Sequence, residues 1–252
     1  MNPLNQLTTI IIAKNEAQRI AGAIQSVSFC GSVIVIDNGS TDETEKVAKK
    51  HGAQVFSFTS DDFSAVRNFG AKEAKSDWIF YLDADEEVTE NLRNEIQMVI
   101  QSKNPMPAYR IFRKNFFLGR EWPTPDQQTR LFQKRYLQGW TGRVHESALV
   151  KGAIGTLSSS MNHYTHRTLH EMVQKTNEWS GIEAKLRFDN HHPVMSWWRM
   201  FRMMITSFFE YFITQKGYTV GVVGLIESLY QSFSTFITYA KLWEMQRGDT
   251  RS

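Results

Sequence analysis

The stretch Trp78-Ile79-Phe80-Tyr81-Leu82-Asp83-Ala84-Asp85-Glu86-Glu87 constrains the fold of this 252-residue chain more than any other. Its first five residues are large and apolar or aromatic, the composition of a strand buried on both faces. The run then breaks into four carboxylates within five residues. Burying so many charges would be costly, so they must project where the strand leaves the core. In open α/β sheets that carboxyl end is where ligands bind. Asp83 and Asp85, separated by one residue, can grip a hard divalent cation that takes phosphate oxygens as its other ligands. Glu86 and Glu87 have a plainer reading, as the cap and first turn of a helix that begins near Thr89.

The sequence before this stretch alternates strands and helices. Residues 8–13, 33–36 and 53–58 are β-branched or apolar runs that read as strands. Residues 17–27, 43–51 and 64–74 carry helical spacing. Such alternation specifies an α/β fold with a parallel, doubly wound sheet. Right-handed crossovers place the strand ends on one rim. The loops at Asn15 and Glu16, at Asp37, and at Asp83 and Asp85 should therefore converge.

A single cysteine, Cys30, excludes an internal disulfide and a Cys-rich zinc site. Residues 1–9 lack the pattern of a signal peptide, and no uncharged apolar run reaches the ~18 residues of a spanning helix. A cytoplasmic protein is expected. The net charge of +3 hides an acidic surplus in residues 1–100 and a basic one in 101–252. The acidic half suits a metal-dependent site, and the basic half suits an anionic partner. No dense Lys/Arg cluster or binding motif points to nucleic acid.

The segments Ile-Ile-Ala-Lys-Asn-Glu (11–16), Ile-Val-Ile-Asp-Asn-Gly-Ser-Thr-Asp (34–42), Ala-Val-Arg-Asn-Phe-Gly (65–70) and Leu-Asp-Ala-Asp-Glu (82–86) together resemble the ordered motifs of family 2 glycosyltransferases. That resemblance implies the GT-A fold with a DXD motif, a UDP-sugar donor and Mg²⁺ or Mn²⁺. It places Ala13, Asn15 and Glu16 at the nucleotide base or ribose, and Asp37 on the uracil. Arg67 falls near the diphosphate, Asp83 and Ala84 at the ribose or donor sugar, and Asp85 on the metal with Asp83. Asn38 departs from the family, in which many members have a second Asp, and leaves recognition of the base to Asp37 alone.

Residues 108–117 partly alternate, like a strand with one wet face, and short strands are expected at 130–132 and 143–146. Arg-Leu-Phe followed by Val-His-Glu resembles the acceptor half of the WaaE/KdtX-type lipopolysaccharide core glucosyltransferases. This implies glucose transfer from UDP-glucose to an inner-core sugar of lipopolysaccharide. A transferase acting on a polyprenyl phosphate and a non-catalytic nucleotide-sugar-binding scaffold are the alternatives. Inverting transfer needs a general base beside the acceptor hydroxyl. Glu146 is the favoured base and His145 either assists it or takes its place. His163 and His166 are spaced to offer one metal or phosphate contact, and His163 is taken as the metal candidate.

The expected division is a catalytic domain over 1–167 (nucleotide half 1–104, acceptor half 105–167) and a helical extension over 168–252. One helix is expected over 169–188 and another over 197–214. In the second, Arg199, Arg202, Thr206, Glu210 and Thr214 share one stripe, and Trp197, Trp198, Phe201, Met204, Ile205, Phe208, Phe209 and Phe212 lie on the broad remainder. Such a helix suits peripheral contact with the inner face of the cytoplasmic membrane, packing on residues 228–244, or a homo-oligomer interface.

Overall fold

The computed structural model of the chain describes residues 3–142 and 146–249. The architecture is the expected one, an α/β sheet followed by a helical C-terminal part. Two compact units emerge: Met1–Lys114 with Asp126–His163, and Asn115–Pro125 with Tyr164–Ser252.

In the first unit the elements run β1 (Leu7–Ala13), α1 (Ile20–Ser26), β2 (Ser32–Asp37), α2 (Thr44–Lys50), β3 (Gln54–Ser57), α3 (Phe63–Glu73) and β4 (Trp78–Asp83). Then come β5 (Glu86–Val88), α4 (Glu90–Gln101), β6 (Ala108–Phe117), whose last three residues belong to the second unit together with β7 (Arg120–Glu121), and β8 (Asp126–Gln133). After these come β9 (Leu137–Thr141), β10 (Ser147–Val150) and β11 (Ile154–His166). The principal sheet has the order β3-β2-β1-β4-β8-β6-β11-β5. Strands β3, β2, β1 and β4 are parallel, while β8 joins β4 antiparallel.

Strand β4 is buried on both faces, as its composition requires. Trp78, Phe80 and Leu82 enter one core with Ile24, Leu92 and Ile96. Ile79 and Tyr81 enter the opposite core with Val66, Phe132 and Trp140. This period of two is the strand's own alternation. Helix α3 can lie close to the sheet because residue 70 is glycine: a Cβ there would meet Ile10 Cγ2 at 2.7 Å.

One local expectation needs correction. Glu86 and Glu87 do not cap a helix, because they pair as β5 with Asn162 and His163 of β11. The cap of α4 is Thr89, whose side chain accepts from Leu92 N. Glu86 is drawn into the sheet by buried arginines described below.

The second unit is built on α5 (Leu169–Asp189), α6 (Trp197–Phe209) and α7 (Val222–Asp249). The helix expected over 197–214 is α-helical only to Phe209 and finishes in a π-helical turn, Glu210–Thr214. Ala184, Met195, Tyr239 and Leu242 form the core here, with Met200 and Met203 against it. Trp122 lies edge-on to Phe117 at 5.1 Å and donates to Gln215 Oε1 at 3.0 Å. His166 faces Glu227, with 3.3 Å between Nδ1 and Oε2.

Candidate active site

The rim of the parallel sheet is set by register. Ala13 of β1 stands opposite Asp37 of β2, and Ile12 stands opposite Asp83 of β4. The carboxyl ends of three adjacent strands thus present Ala13, Asp37 and Asp83 side by side.

The first two loops interlock. Asn38 N donates to Ala13 O at 2.9 Å, and Asn38 Oδ1 accepts from Ser60 N at 2.8 Å. Asn38, the departure from the family pattern, therefore ties the β1, β2 and β3 ends together. Asn15 adopts a left-handed backbone (φ 58°), accepts from Thr41 N at 2.8 Å and donates its own N–H to Ser40 Oγ at 2.9 Å. Asn is among the few non-glycine residues that tolerate this region. Glu16 anchors the following turn through its N–H on Thr44 Oγ1 and its carboxylate on Arg19 Nη1 at 2.7 Å. Asp37 is buried, and its Oδ2 accepts from Ser40 N. Its Oδ1 is buried without a hydrogen-bond partner among the described residues. Buried acceptors are normally paired, so Asp37 Oδ1 is an acceptor suited to a ligand N–H.

At the end of β4 the charges form an alternating ladder. Arg67 Nε donates to Glu146 Oε1 at 2.6 Å, and Arg67 Nη2 donates to Asp83 Oδ1 at 3.2 Å. Arg130 reaches both oxygens of Asp83 and donates to Glu86 Oε1 at 2.9 Å. Arg113 contacts the same Glu86 oxygen at 3.1 Å and forks onto Asp126. The other oxygen of Glu86 accepts the backbone N–H of Asp83 at 2.8 Å. The order is Glu146, Arg67, Asp83, Arg130, Glu86, Arg113, Asp126. Glu86 is fully buried, and Arg67 and Arg130 nearly so. The Arg67 guanidinium also lies 4.9 Å from the ring centre of Trp140 and 5.6 Å from that of Tyr81, favourable cation–π distances.

Burial alone would raise the Asp83 pKa, but the charges of Arg130 and then Arg67 outweigh it and hold the carboxyl well below the usual carboxylate range. Burial likewise opposes the charge on Arg130, and Asp83 and Glu86 overcome it, pushing its pKa above the ordinary guanidinium value. Asp83 and Arg130 each favour the charged form because the other's opposite charge compensates it.

Asp85 stands outside the ladder. Its Oδ2 lies 3.5 Å from His163 Nε2, a proximity set by the pairing of Glu86 with His163 across β5 and β11. Among the described residues no three His, Cys, Asp or Glu side chains come together as a metal cluster. One carboxylate oxygen and one imidazole nitrogen amount to part of a coordination sphere. Such a half-site suits a cation that takes the rest of its ligands from phosphate and water.

The structure thus brings together Ala13, Asn15, Glu16 and Asp37 on one side of the rim. It brings Arg67, Asp83 and Glu146 together on the other, next to Ala84, Asp85 and His163 in chain and sheet order. His145 lies outside the described residues, as do Arg143 and Val144. His166 belongs to the second unit, against Glu227. Arg130, Glu86, Arg113 and Asp126 were not among the sequence candidates. The available signal was Arg130 itself, a guanidinium next to the apolar pair Leu131-Phe132, which a buried strand tolerates only opposite carboxylates.

Comparison with known proteins finds relatives along almost the whole chain. A glycosyltransferase of Rickettsia prowazekii (strain Madrid E), itself uncharacterised, is 30% identical over 258 residues, spanning 96% of this chain and 88% of that one. The lipopolysaccharide core biosynthesis glycosyltransferase LpsC of Rhizobium meliloti (strain 1021) is 22% identical, with 97% and 94% covered. Among solved structures, S. aureus TarS 1-349 in complex with UDP-GlcNAc superposes with a TM-score of 0.49 at 13% identity, over 96% of this chain and 92% of that one. Residues 8–149 match the family described as Glycosyl transferase family 2, and the relatives span nearly the whole chain. The chain belongs to glycosyl transferase family 2.

Proposed function

We propose that this glycosyltransferase moves a hexose, glucose in the first instance, from a UDP-sugar to an inner-core sugar of lipopolysaccharide, inverting C1. The acceptor is then borne on a lipid at the inner face of the cytoplasmic membrane. The observation that carries the reading is the Arg67 bridge, which holds Glu146 next to Asp83 at the carboxyl end of β4. A base candidate and the acidic donor loop are thereby held together by one buried guanidinium. The LPS-core relative supports the acceptor class.

Ala13, Asn15 and Glu16 border the nucleotide, and Asp37 Oδ1 accepts from the base. Asp83 and Ala84 line the ribose and donor sugar. Glu146 takes the acceptor hydroxyl proton as that oxygen bonds to C1 and the bond from C1 to the UDP oxygen breaks. Arg67 keeps the Glu146 carboxylate aimed. Asp85, with His163 and Asp83 beside it, would hold Mg²⁺ or Mn²⁺, which would supply positive charge to the diphosphate.

A screen of nucleotide sugars, reading UDP release with and without truncated core acceptor, tests the reaction. Acceptor-stimulated release from a UDP-hexose is expected, and release only from a non-uridine donor would overturn the donor assignment. Asp85→Asn should lower transfer by about two orders of magnitude or more without loss of fold. Chelation should abolish parent activity, with Mn²⁺ or Mg²⁺ restoring it. Undiminished transfer in EDTA would remove the metal from the scheme.

A further inference from the structure

Helix α6 is rich in apolar and aromatic residues, yet none of its residues is buried. Trp197, Phe201, Ile205, Phe209 and Ile213 recur every fourth residue and are all exposed, Trp197 at 79%. Positions four apart are neighbours on a helix surface, so these side chains form one continuous stripe. Trp198, 57% exposed, widens it at the start. Helix α7 packs alongside through Ser232 Oγ on Met204 O and Thr235 Oγ1 on Ser207 Oγ. It leaves a stripe of its own, with Val222, Leu225, Leu229 and Phe233 exposed. Thus α7 covers only part of the apolar surface of α6. Isolated exposed apolar residues are ordinary, whereas stripes on two adjoining helices mark a contact surface.

The charges nearby choose the occupant. Arg199, Arg202 and Lys216 are exposed on or just beyond α6, against Glu210 alone. A second copy meeting this face about a two-fold axis would present the same positive excess to itself. An anionic headgroup layer complements it, and tryptophans beside arginines combine apolar insertion with electrostatic attraction. Among the described residues no helix is long and apolar enough to cross a membrane, so contact would lie along the surface. We propose that the exposed face of α6 and α7 docks on an anionic phospholipid bilayer. The purpose of docking rests on the lipid-borne acceptor proposed above, but the surface can be tested without any sugar.

The chain is sedimented with phosphatidylcholine vesicles that contain or lack phosphatidylglycerol. The parent should pellet with the anionic vesicles. Trp197→Ser with Trp198→Ser should weaken that binding more than about tenfold, given the apolar area withdrawn from insertion. Both side chains are exposed, so the fold should persist. Arg199→Gln with Arg202→Gln should cost about fivefold per arginine on anionic vesicles only, independently of the tryptophans. UDP release with a soluble acceptor, read on the same samples, should match the parent in both variants. Its absence in the parent would count against the catalytic reading and leave the surface standing. A parent that ignores both vesicle types overturns the docking proposal. So does a stable dimer in light scattering that the tryptophan variant dissociates, which would make this face an interface between copies.

Discussion

Glu146→Gln is expected to bind UDP as the parent does and to transfer sugar about 10²–10⁴ times more slowly, the usual share of general-base catalysis. Glutamine keeps the shape and an oxygen for Arg67 Nε, now 2.6 Å from the carboxylate, but it cannot take a proton near neutrality. The loss should appear in kcat and leave the donor KM nearly unchanged, because the interaction removed is made only as the acceptor oxygen attacks. Arg67→Lys should show a related but different defect. Lysine offers a point charge in place of a planar fork and cannot hold Glu146 and Asp83 at once in the observed geometry. Single-turnover kinetics separates the two. Near-parental turnover by Glu146→Gln, with His145→Ala inactive, would assign the base to His145.

Arg130→Met is the second substitution for which a large effect is expected, here on stability. Methionine fills much of the same volume but leaves the fully buried Glu86 with Arg113 as its one charged partner among the described residues. Removing one member of a buried ion pair costs about 3–5 kcal/mol, mostly the cost of the charge left behind. Domains have about 5–15 kcal/mol in hand, so the urea midpoint should fall substantially. Arg130→Lys should recover part of the loss. A midpoint within error of the parent would mean that the guanidinium does not bear on Asp83 and Glu86 in solution. The same group accounts for a dependence on acidity. The folded pKa of Asp83 is depressed, so its contribution to stability is present above the unfolded value near 4 and is lost as pH falls toward the lower folded value.

The nucleotide half was legible because its strands are short, apolar and separated by helices. Residues 78–82 read as buried on both faces, and the alternate side chains do enter two different cores. The rim followed from handedness alone, and Asp37 and Asp83 do lie at the carboxyl ends of the two strands that flank β1. The partners of those carboxylates were not legible. Arg130 is 47 residues from Asp83 and 44 from Glu86 in sequence. Only the insertion of β8 beside β4 brings them together, and periodicity carries no record of which strand lies next to which. Glu86 was misread for the same reason: a carboxylate before a helix looks like a cap until a buried guanidinium is found opposite it. On α6, the pattern gave the apolar residues but not the fraction that α7 would leave uncovered.

The alternating ladder also limits how this site can change over generations. Seven residues of opposite sign in strict succession tolerate no single neutral step in the interior, since each loss strands a charge on the next member. Drift is cheapest at the outer end, where Asp126 is partly exposed, whereas its partner Arg113 also holds the buried Glu86. Descendants of this sequence should therefore vary Asp126 early and keep Arg113 for as long as Glu86 stays acidic. Asp83, Glu86 and Arg130 should change last, and then only through simultaneous replacement.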